Sequence, residues 1–383
     1  MAILRALEVP VGRDVLNLLP AVERMLAGGA EAVLPVPASD RREKALLAGV
    51  LRVGGVIDDD VALVVSTSGT TGDPKGAMLS AAALQASASA THARLGGPGQ
   101  WLLALPAHHI AGMQVLIRST LAGTTPVVLD VSSGFDTSSL SRSVDGMRFA
   151  RRYASLVATQ LAKALSDPTA TAALASLDAV LIGGGPMPAG VAESASAAGI
   201  SVVRTYGMSE TAGGCVYDGV PLEGVRVRVD HKRVVLGGAT LAKGYRNPVS
   251  PNPFAEPGWF RTDDAGSIDN GVLTVHGRLD GAISTGGLTV MPEVVEAVIA
   301  GHPAVRQCAV FGVPDDRLGQ RVVAAVVPAS DGAPSLAQLR EHVAASLDPT
   351  AAPRELHLVD ELPVRGIGKV DRRALAERFS HRV

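Results

Sequence analysis

Residues 61–76 read Val-Ala-Leu-Val-Val-Ser-Thr-Ser-Gly-Thr-Thr-Gly-Asp-Pro-Lys-Gly. The first five are apolar and few enough for a strand buried on both faces, the way a central strand of a parallel sheet reads. The remainder crowds Ser and Thr hydroxyls, three glycines and Lys75 into one short stretch. Glycine lets a backbone turn left-handed and approach an anion. Hydroxyls, exposed amides and a lysine supply donors and positive charge for phosphate oxygens. A strand running into such a loop suits a polyphosphate cradle. It is not a Walker loop, because Lys75 stands between Pro74 and Gly76 and Gly-x-x-x-x-Gly-Lys-[Ser/Thr] does not occur. The same composition also describes an ordinary surface loop.

Outward from this stretch, short apolar runs alternate with helical spacing. Residues 13–27, 39–51 and 79–94 are spaced as helices. Trp101–Leu105, Pro126–Leu129, Ala179–Ile182 and Val202–Tyr206 are spaced as strands. Alternation of this kind predicts an α/β fold, a mostly parallel sheet with helices on both faces. Ligands collect at the carboxyl ends of such strands, and loops 66–76, 183–188 and 207–214 each follow one. Residues 222–276 change to short alternating strands (Val225–Val229, Arg233–Leu236, Leu273–Val275), which predicts a small barrel-like β subdomain. Beyond Gly277-Arg278-Leu279-Asp280-Gly281 the pattern is a small α+β domain. It has helices over 292–300, 335–346 and 371–378 and strands over 305–311, 321–327 and 355–359. The expected division is a large domain over 1–279 and a small one over 280–383.

Composition sets the remaining bounds. The 383 residues are 47% hydrophobic and 19% charged, a globular balance. Aromatics are only 3%, so alanine, valine and leucine must build the cores. A net charge of −2 without a block of like charge argues against nucleic acid and membrane surfaces as partners. Cys215 and Cys308 form neither a metal-spaced pair nor a disulfide framework, the usage of a reducing cytoplasm. The first residues carry charge too early for a signal peptide, and no apolar run reaches bilayer length. The expectation is a cytoplasmic protein.

Four further segments carry chemistry. Gly183-Gly184-Gly185-Pro186-Met187 follows a strand, although a triple glycine is also a simple turn. In Tyr206-Gly207-Met208-Ser209-Glu210-Thr211 an aromatic ring can stack on a purine, and a carboxylate can hold Mg²⁺ beside phosphates. A buried Tyr beside a solvated Glu would read the same. Arg261-Thr262-Asp263-Asp264, with Gly277-Arg278-Leu279-Asp280 after it, offers the carboxylate that proteins use to hold a ribose. Gly366-Ile367-Gly368-Lys369 places a lysine in a glycine-flexible loop just before a helix capped by Asp371.

In this order the five segments resemble the adenylate-forming superfamily of acyl-CoA synthetases, peptide-synthetase adenylation domains and luciferases, from about residue 60 onward. The resemblance implies an acid–thiol ligase that uses ATP, Mg²⁺ and coenzyme A on a small-molecule carboxylic acid. It implies that Ser66, Thr67, Ser68, Gly69, Thr70, Thr71, Gly72 and Lys75 wrap the β- and γ-phosphates, Thr70 and Lys75 with a catalytic part. Gly184, Gly185, Pro186 and Tyr206 would frame the adenine. Gly207, Met208, Ser209 and Thr211 would line the nucleotide, with Ser209 at the α-phosphate and Glu210 on Mg²⁺. Asp264 would hold the ribose with Arg278 nearby, Asp280 would be the hinge, and Lys369 would bridge the acid carboxylate and the α-phosphate.

Leu105-Pro106-Ala107-His108-His109-Ile110-Ala111-Gly112 is similar to the family segment that lines the acyl pocket, which makes His109 its histidine. A structural helix-capping histidine is the other reading. The Gly286–Glu293 segment is similar to that of o-succinylbenzoate–CoA ligases of menaquinone biosynthesis, with Arg204, Lys243 and the His pair as candidates for a second anionic group. Another aryl- or fatty-acid CoA ligase, a carrier-loading adenylation enzyme, and a non-catalytic nucleotide scaffold are the alternatives. Small ligases of this kind are often homodimers. Departures from the family pattern are the early position of the glycine loop, which implies a shortened N-terminal part, together with Asp263, Gly281 and Leu288.

Overall fold

A computed structural model describes residues 2–28, 31–67, 74–330, 332–365 and 369–380. Ser68, Gly69, Thr70, Thr71 and Gly72, all assigned to the phosphate loop, lie outside the described residues, as do Gly366 and Gly368.

The chain builds its first sheet from β1 (Ala2–Val9), β2 (Glu31–Pro37), β3 (Val56–Ile57), β4 (Val61–Val65) and β5 (Ala77–Ser80), in the order β3-β1-β2-β4-β5. Every residue of β4 is buried, as its unbroken apolar run predicts. A second sheet of seven strands follows: β6 (Gln100–Leu103), β7 (Val127–Val128), β8 (Arg152–Val157), β9 (Ala179–Gly183), β10 (Val202–Met208), β11 (Gly213–Tyr217) and β12 (Val220–Pro221). Their order is β12-β11-β10-β9-β8-β6-β7, parallel from β7 to β10 and antiparallel beyond. Among the described residues, eight α-helices accompany these sheets: α1 (Leu19–Leu26), α2 (Arg41–Val50), α3 (Ala81–Arg94), α4 (Ile110–Leu121), α5 (Thr137–Asp145), α6 (Ala158–Leu165), α7 (Pro168–Ala175) and α8 (Ala189–Ala197). One core joins β4, β5, β6 and β8 to α1, α3 and α4 around Trp101 and Tyr153, while α5–α8 cover the other face of the second sheet.

β13 (Val225–Asp230), β14 (Arg233–Gly238), β15 (Trp259–Asp269) and β16 (Val272–Arg278) make an antiparallel four-stranded sheet. The last part holds β17 (Ile283–Thr285), β18 (Leu288–Val290), β19 (Val305–Asp315), β20 (Gly319–Pro328) and β21 (Glu355–Leu358) in one sheet, and β22 (Val364–Arg365) with β23 (Lys369–Val370) in a hairpin. It is covered by α9 (Pro292–Ile299) and α10 (Leu336–Ala344) on one face and α11 (Arg372–Ser380) on the other. The mixed α/β architecture is the one expected.

Two local readings are corrected. Residues 79–80 are strand, and the helix begins at Ala81 because the Ser80 hydroxyl caps it by accepting from the Ala83 amide at 3.1 Å. The strands expected in the β subdomain omit Trp259–Asp269, which is the long strand β15 and carries Asp263-Asp264 in its middle.

Candidate active site

The ends of β4, β9 and β10 carry the three loops singled out from the sequence, and the geometry of each is set locally. At β10 the constraint is steric. A Cβ on Gly207 would lie 2.1 Å from the Gly213 carbonyl oxygen, so only glycine lets β10 and β11 come this close. The Thr211 hydroxyl accepts from the Met208 amide at 3.0 Å and donates to the Gly213 carbonyl at 2.8 Å. Ala212 follows in the left-handed conformation with φ 53°. Its carbonyl accepts from Gln114 Nε2 at 2.7 Å and Ser87 Oγ at 3.0 Å, which braces the turn from α4 and α3. Thr211, expected at the nucleotide, is thus fully buried with its side chain spent on the turn. Gly207 and Met208 shape the strand end, and Met208 packs on the core beneath β13 and β14.

The braced turn fixes Glu210, which is 7% exposed. Tyr245 donates its hydroxyl to Glu210 Oε1 at 2.6 Å. Lys75 Nζ lies 5.6 Å from the centre of the Tyr245 ring. These three side chains meet because residues 243–247 run along β5. The Met78 amide donates to the Gly244 carbonyl (3.0 Å), Lys243 to Met78 (2.9 Å), Arg246 to Gly76 (2.8 Å) and Asn247 to Lys75 (3.1 Å). Arg246 then donates to the carbonyls of Leu51 (3.2 Å), Val56 (2.6 Å) and Arg52 (3.5 Å), tying this segment to the first sheet. Gly76 has φ 70°, and a Cβ there would sit 2.7 Å from Leu51 Cδ2, so the glycine beside Lys75 is required on both counts. Tyr245 escaped the sequence reading. Its only local signal is an aromatic residue after a glycine in an aperiodic stretch, and its role comes from pairing with a strand far upstream.

Burial pushes the Glu210 carboxyl up from its ordinary 4.5, opposed by the Tyr245 hydrogen bond and the charges of Lys75 and Arg278. Burial and the Glu210 carboxylate raise Tyr245 as well, so its hydroxyl stays a donor.

The sequence pair Tyr206 and Asp264 is also brought together. Tyr206 donates to Asp264 Oδ2 at 2.6 Å, and Arg278, opposite Asp264 in the β15–β16 register, stands 3.7 Å from its Oδ1. Asp264 is 8% exposed and raised from 3.8 chiefly by burial. Arg278 also grips Asp280 through both carboxylate oxygens, at 2.8 and 2.6 Å. The aromatic face assigned to adenine and the carboxylate assigned to ribose therefore form one hydrogen-bonded unit.

Gly184, Gly185 and Pro186 are exposed just past β9, Gly184 at φ 82°. Ser66 and Thr67 are half-buried past β4, and Thr67 Oγ1 is buried without a hydrogen-bond partner among the described residues. Ser209 opens the short turn that packs on β5. His109 is half-buried at the N-terminal cap of α4, its ring centre 4.2 Å from that of His108. It is the N-cap residue of α4, without a side-chain capping hydrogen bond. Lys369 opens β23 opposite Arg365. Of the other cations considered, Arg204 pairs with Asp218 at 3.6 Å, and Lys243 pairs with Asp58 (3.1 Å) and Asp60 (2.5 Å). Among the described residues no cluster of three or more His, Cys, Asp or Glu could hold a metal. A single carboxylate completed by ligand phosphates is nonetheless the usual setting for Mg²⁺, and Glu210 fits it.

The AMP-binding enzyme family matches residues 22–242, more than half of the chain, and the AMP-binding enzyme C-terminal domain matches residues 294–369. The chain belongs to the AMP-binding enzyme family. One member, a probable 2-succinylbenzoate–CoA ligase of Mycobacterium tuberculosis, is 65% identical over 98% of this chain and 99% of its own length. The 2-succinylbenzoate–CoA ligase of Salmonella typhimurium is 36% identical, covering 81% of this chain and 67% of that protein. A feruloyl-CoA synthase of Amycolatopsis is 32% identical over 94% and 82%. Among solved family members, the o-succinylbenzoate CoA synthetase of Bacillus subtilis with the acyl-adenylate OSB-AMP shares the fold. Its TM-score is 0.82 at 24% identity, over 97% of this chain and 88% of that one. The Escherichia coli MenE bound to a phenylether-linked analogue of OSB-AMS has a TM-score of 0.75 at 26% identity, over 100% and 89%. Among the described residues no helix is long and apolar enough to cross a membrane.

Proposed function

We propose that the protein is an ATP-dependent acid–CoA ligase that converts 2-succinylbenzoate to its CoA thioester through an acyl-adenylate, releasing pyrophosphate and AMP. The observation that carries this reading is the 65% identity, over nearly the whole of both chains, to the mycobacterial 2-succinylbenzoate–CoA ligase. The convergence of Lys75, Glu210 and Tyr245 beside the phosphate loop, and of Tyr206, Asp264 and Arg278 across β10, β15 and β16, supports the nucleotide half of it.

In the first step an acid carboxylate oxygen attacks the α-phosphorus of ATP, and the bond to the β-phosphate bridge breaks. Two anions must approach, so the site must cancel charge that grows in the transition state. Ser66, Thr67 and Lys75 hold the departing phosphates, and Lys369 bridges the attacking carboxylate and the α-phosphate. Glu210 would hold Mg²⁺ beside the phosphates, where the ion would supply further charge neutralisation. Tyr206 and Gly184–Pro186 frame the adenine and Asp264 holds the ribose. In the second step the thiolate of coenzyme A attacks the acyl carbon and AMP leaves. We read residues 1–279 as the body and 280–383 as a lid that turns about Asp280 between the steps. The His108–His109 pair at the start of α4, with Arg204 and Lys243, supplies the candidates that meet the aromatic acid. Cytoplasmic location, homodimeric assembly and indifference to nucleic acid belong to the same reading.

The test is acid-dependent pyrophosphate release across 2-succinylbenzoate, benzoate, ferulate and medium-chain fatty acids, with and without coenzyme A. The reading requires 2-succinylbenzoate to give the highest kcat/KM and a CoA thioester as product. A preference for ferulate or a fatty acid would transfer the protein to another branch of the family, and silence toward all acids would leave a nucleotide scaffold.

A further inference from the structure

The start of α9 carries a buried carboxylate that the reaction scheme does not use. Glu293 lies in the first turn of α9, and its side chain is 14% exposed. Its Oε1 is 3.2 Å from Arg372 Nη2. Its Oε2 is buried against β16 without a hydrogen-bond partner among the described residues. The approach is close: a Cβ on Gly277, which has φ 138°, would lie 2.3 Å from that oxygen. The Arg278 backbone favours the charged form of Glu293 without completing a hydrogen bond to Oε2. Arg372 has a second partner on the same helix, Glu296, at 2.7 and 3.1 Å, and Glu296 Oε1 also accepts from the Val310 amide at 2.7 Å.

What these contacts join matters more than their number. Arg372 is the first residue of α11, three positions beyond Lys369. Asp371 between them is fixed from both sides, its amide donating to the Pro363 carbonyl (2.8 Å) and its carboxylate accepting from the Ala374 amide (3.1 Å). A displacement of Arg372 therefore moves the β22–β23 hairpin with it. At the other end, Gly277 and Arg278 pair with Ala265 and Asp264 on β15. Glu296 ties α11 only to α9 and β19, whereas Glu293 alone of the pair also touches the strand that faces the proposed ribose carboxylate.

We propose that Glu293 is a positioning residue for adenylation. Its carboxylate couples β16, beside Asp264, to the N-terminus of α11, and so sets where Lys369 stands relative to the nucleotide. The inference rests on the reading of Lys369 as the lysine of the first step.

The test measures the two half-reactions separately on the full-length protein, using acid-dependent pyrophosphate exchange and thioester formation from supplied acyl-adenylate. Glu293→Gln keeps the volume and removes the charge. It should lower kcat for exchange about tenfold, the loss typical of a misplaced reacting group, leave the KM for ATP within about twofold, and spare thioester formation. Glu293→Asp, which keeps the charge on a shorter stem, should recover part of the exchange rate. Equal loss in both half-reactions, or an unchanged exchange rate, overturns the proposal. Lys369→Ala separates the two layers. If it exchanges normally, the lysine reading itself fails. If it is dead in exchange while Glu293→Gln is normal, only the inference about Glu293 fails.

Discussion

Replacing Tyr245 by Phe removes one oxygen and leaves the ring beside Lys75. The lost contact is a 2.6 Å hydrogen bond to Glu210, a carboxylate only 7% exposed. Hydrogen bonds to charged groups are worth about 1.5–3 kcal/mol, and leaving a buried charge short of a donor lies at the upper end. At about 1.4 kcal/mol per factor of ten, that is roughly a 10- to 100-fold effect on any equilibrium that requires the ionised, oriented carboxylate. The sign follows from the titration. Burial already raises Glu210, and the Tyr245 hydroxyl is the leading influence that lowers it, so its removal raises the carboxyl further. Protonation then competes with Mg²⁺ over a range that reaches to higher pH. In Mg²⁺ titrations of pyrophosphate exchange at two pH values, the variant should need roughly tenfold more Mg²⁺ for half-saturation at the lower one and approach wild type at the higher one. An unchanged Mg²⁺ requirement would refute the argument. So would an equal deficit at both pH values, since a purely geometric defect does not titrate.

Asp264→Asn keeps the Tyr206 contact but loses the charge facing Arg278, and should raise the KM for ATP about tenfold while the KM for the acid stays constant, by steady-state kinetics. Gly207→Ala forces a Cβ to within 2.1 Å of the Gly213 carbonyl, which should cost about 3 kcal/mol or more and show as a markedly lower Tm. His109→Ala should change the rank order of acids accepted and leave the ATP dependence intact, read by the acid panel. For pH dependence, Glu210 and Asp264 are both held above their ordinary 4.5 and 3.8. A raised carboxyl favours the protonated folded form, so the stability each contributes is greatest at acid pH and is lost as pH rises through the raised value. Nucleotide binding needs the ionised forms, so affinity for Mg·ATP should fall as pH drops through the raised values while these two groups do not add to acid unfolding. Calorimetric titration beside thermal melting checks both halves.

The parts of the fold written in local pattern were legible. Val61–Val65 reads as a buried strand because nothing in it needs water, and Ala179–Ile182 declares itself by the same logic, whereas Val202–Tyr206 is half-buried with Arg204 exposed and reads as a strand from its β-branched and aromatic residues. β1 and β2 were not seen. β1 mixes exposed and buried positions in no clean period, and β2 contains two prolines, so their pairing rests on parallel register rather than on pattern. The site divides similarly. Tyr206 and Asp264 were visible as motif members, but the bond between them joins strands of different sheets. Tyr245 and Glu293 were invisible because each matters through a partner distant in the chain, Glu210 in one case and Gly277 and Arg372 in the other.

The grip of Arg246 on the first sheet has an evolutionary corollary. All three acceptors, at Leu51, Arg52 and Val56, are main-chain oxygens. Every amino acid supplies one, so the exposed Val56 can change its side chain without loosening the anchor of Lys75, whereas Leu51 is held by burial, Gly54 by φ 85° and Arg52 by its own hydrogen bond to the Arg246 carbonyl at 2.6 Å. The donor has no such freedom. A guanidinium fork reaching several carbonyls at once cannot be replaced by lysine's single ammonium. Mutational tolerance across this contact should therefore be one-sided at its edge: a saturation library would find a permissive Val56 facing an intolerant Arg246.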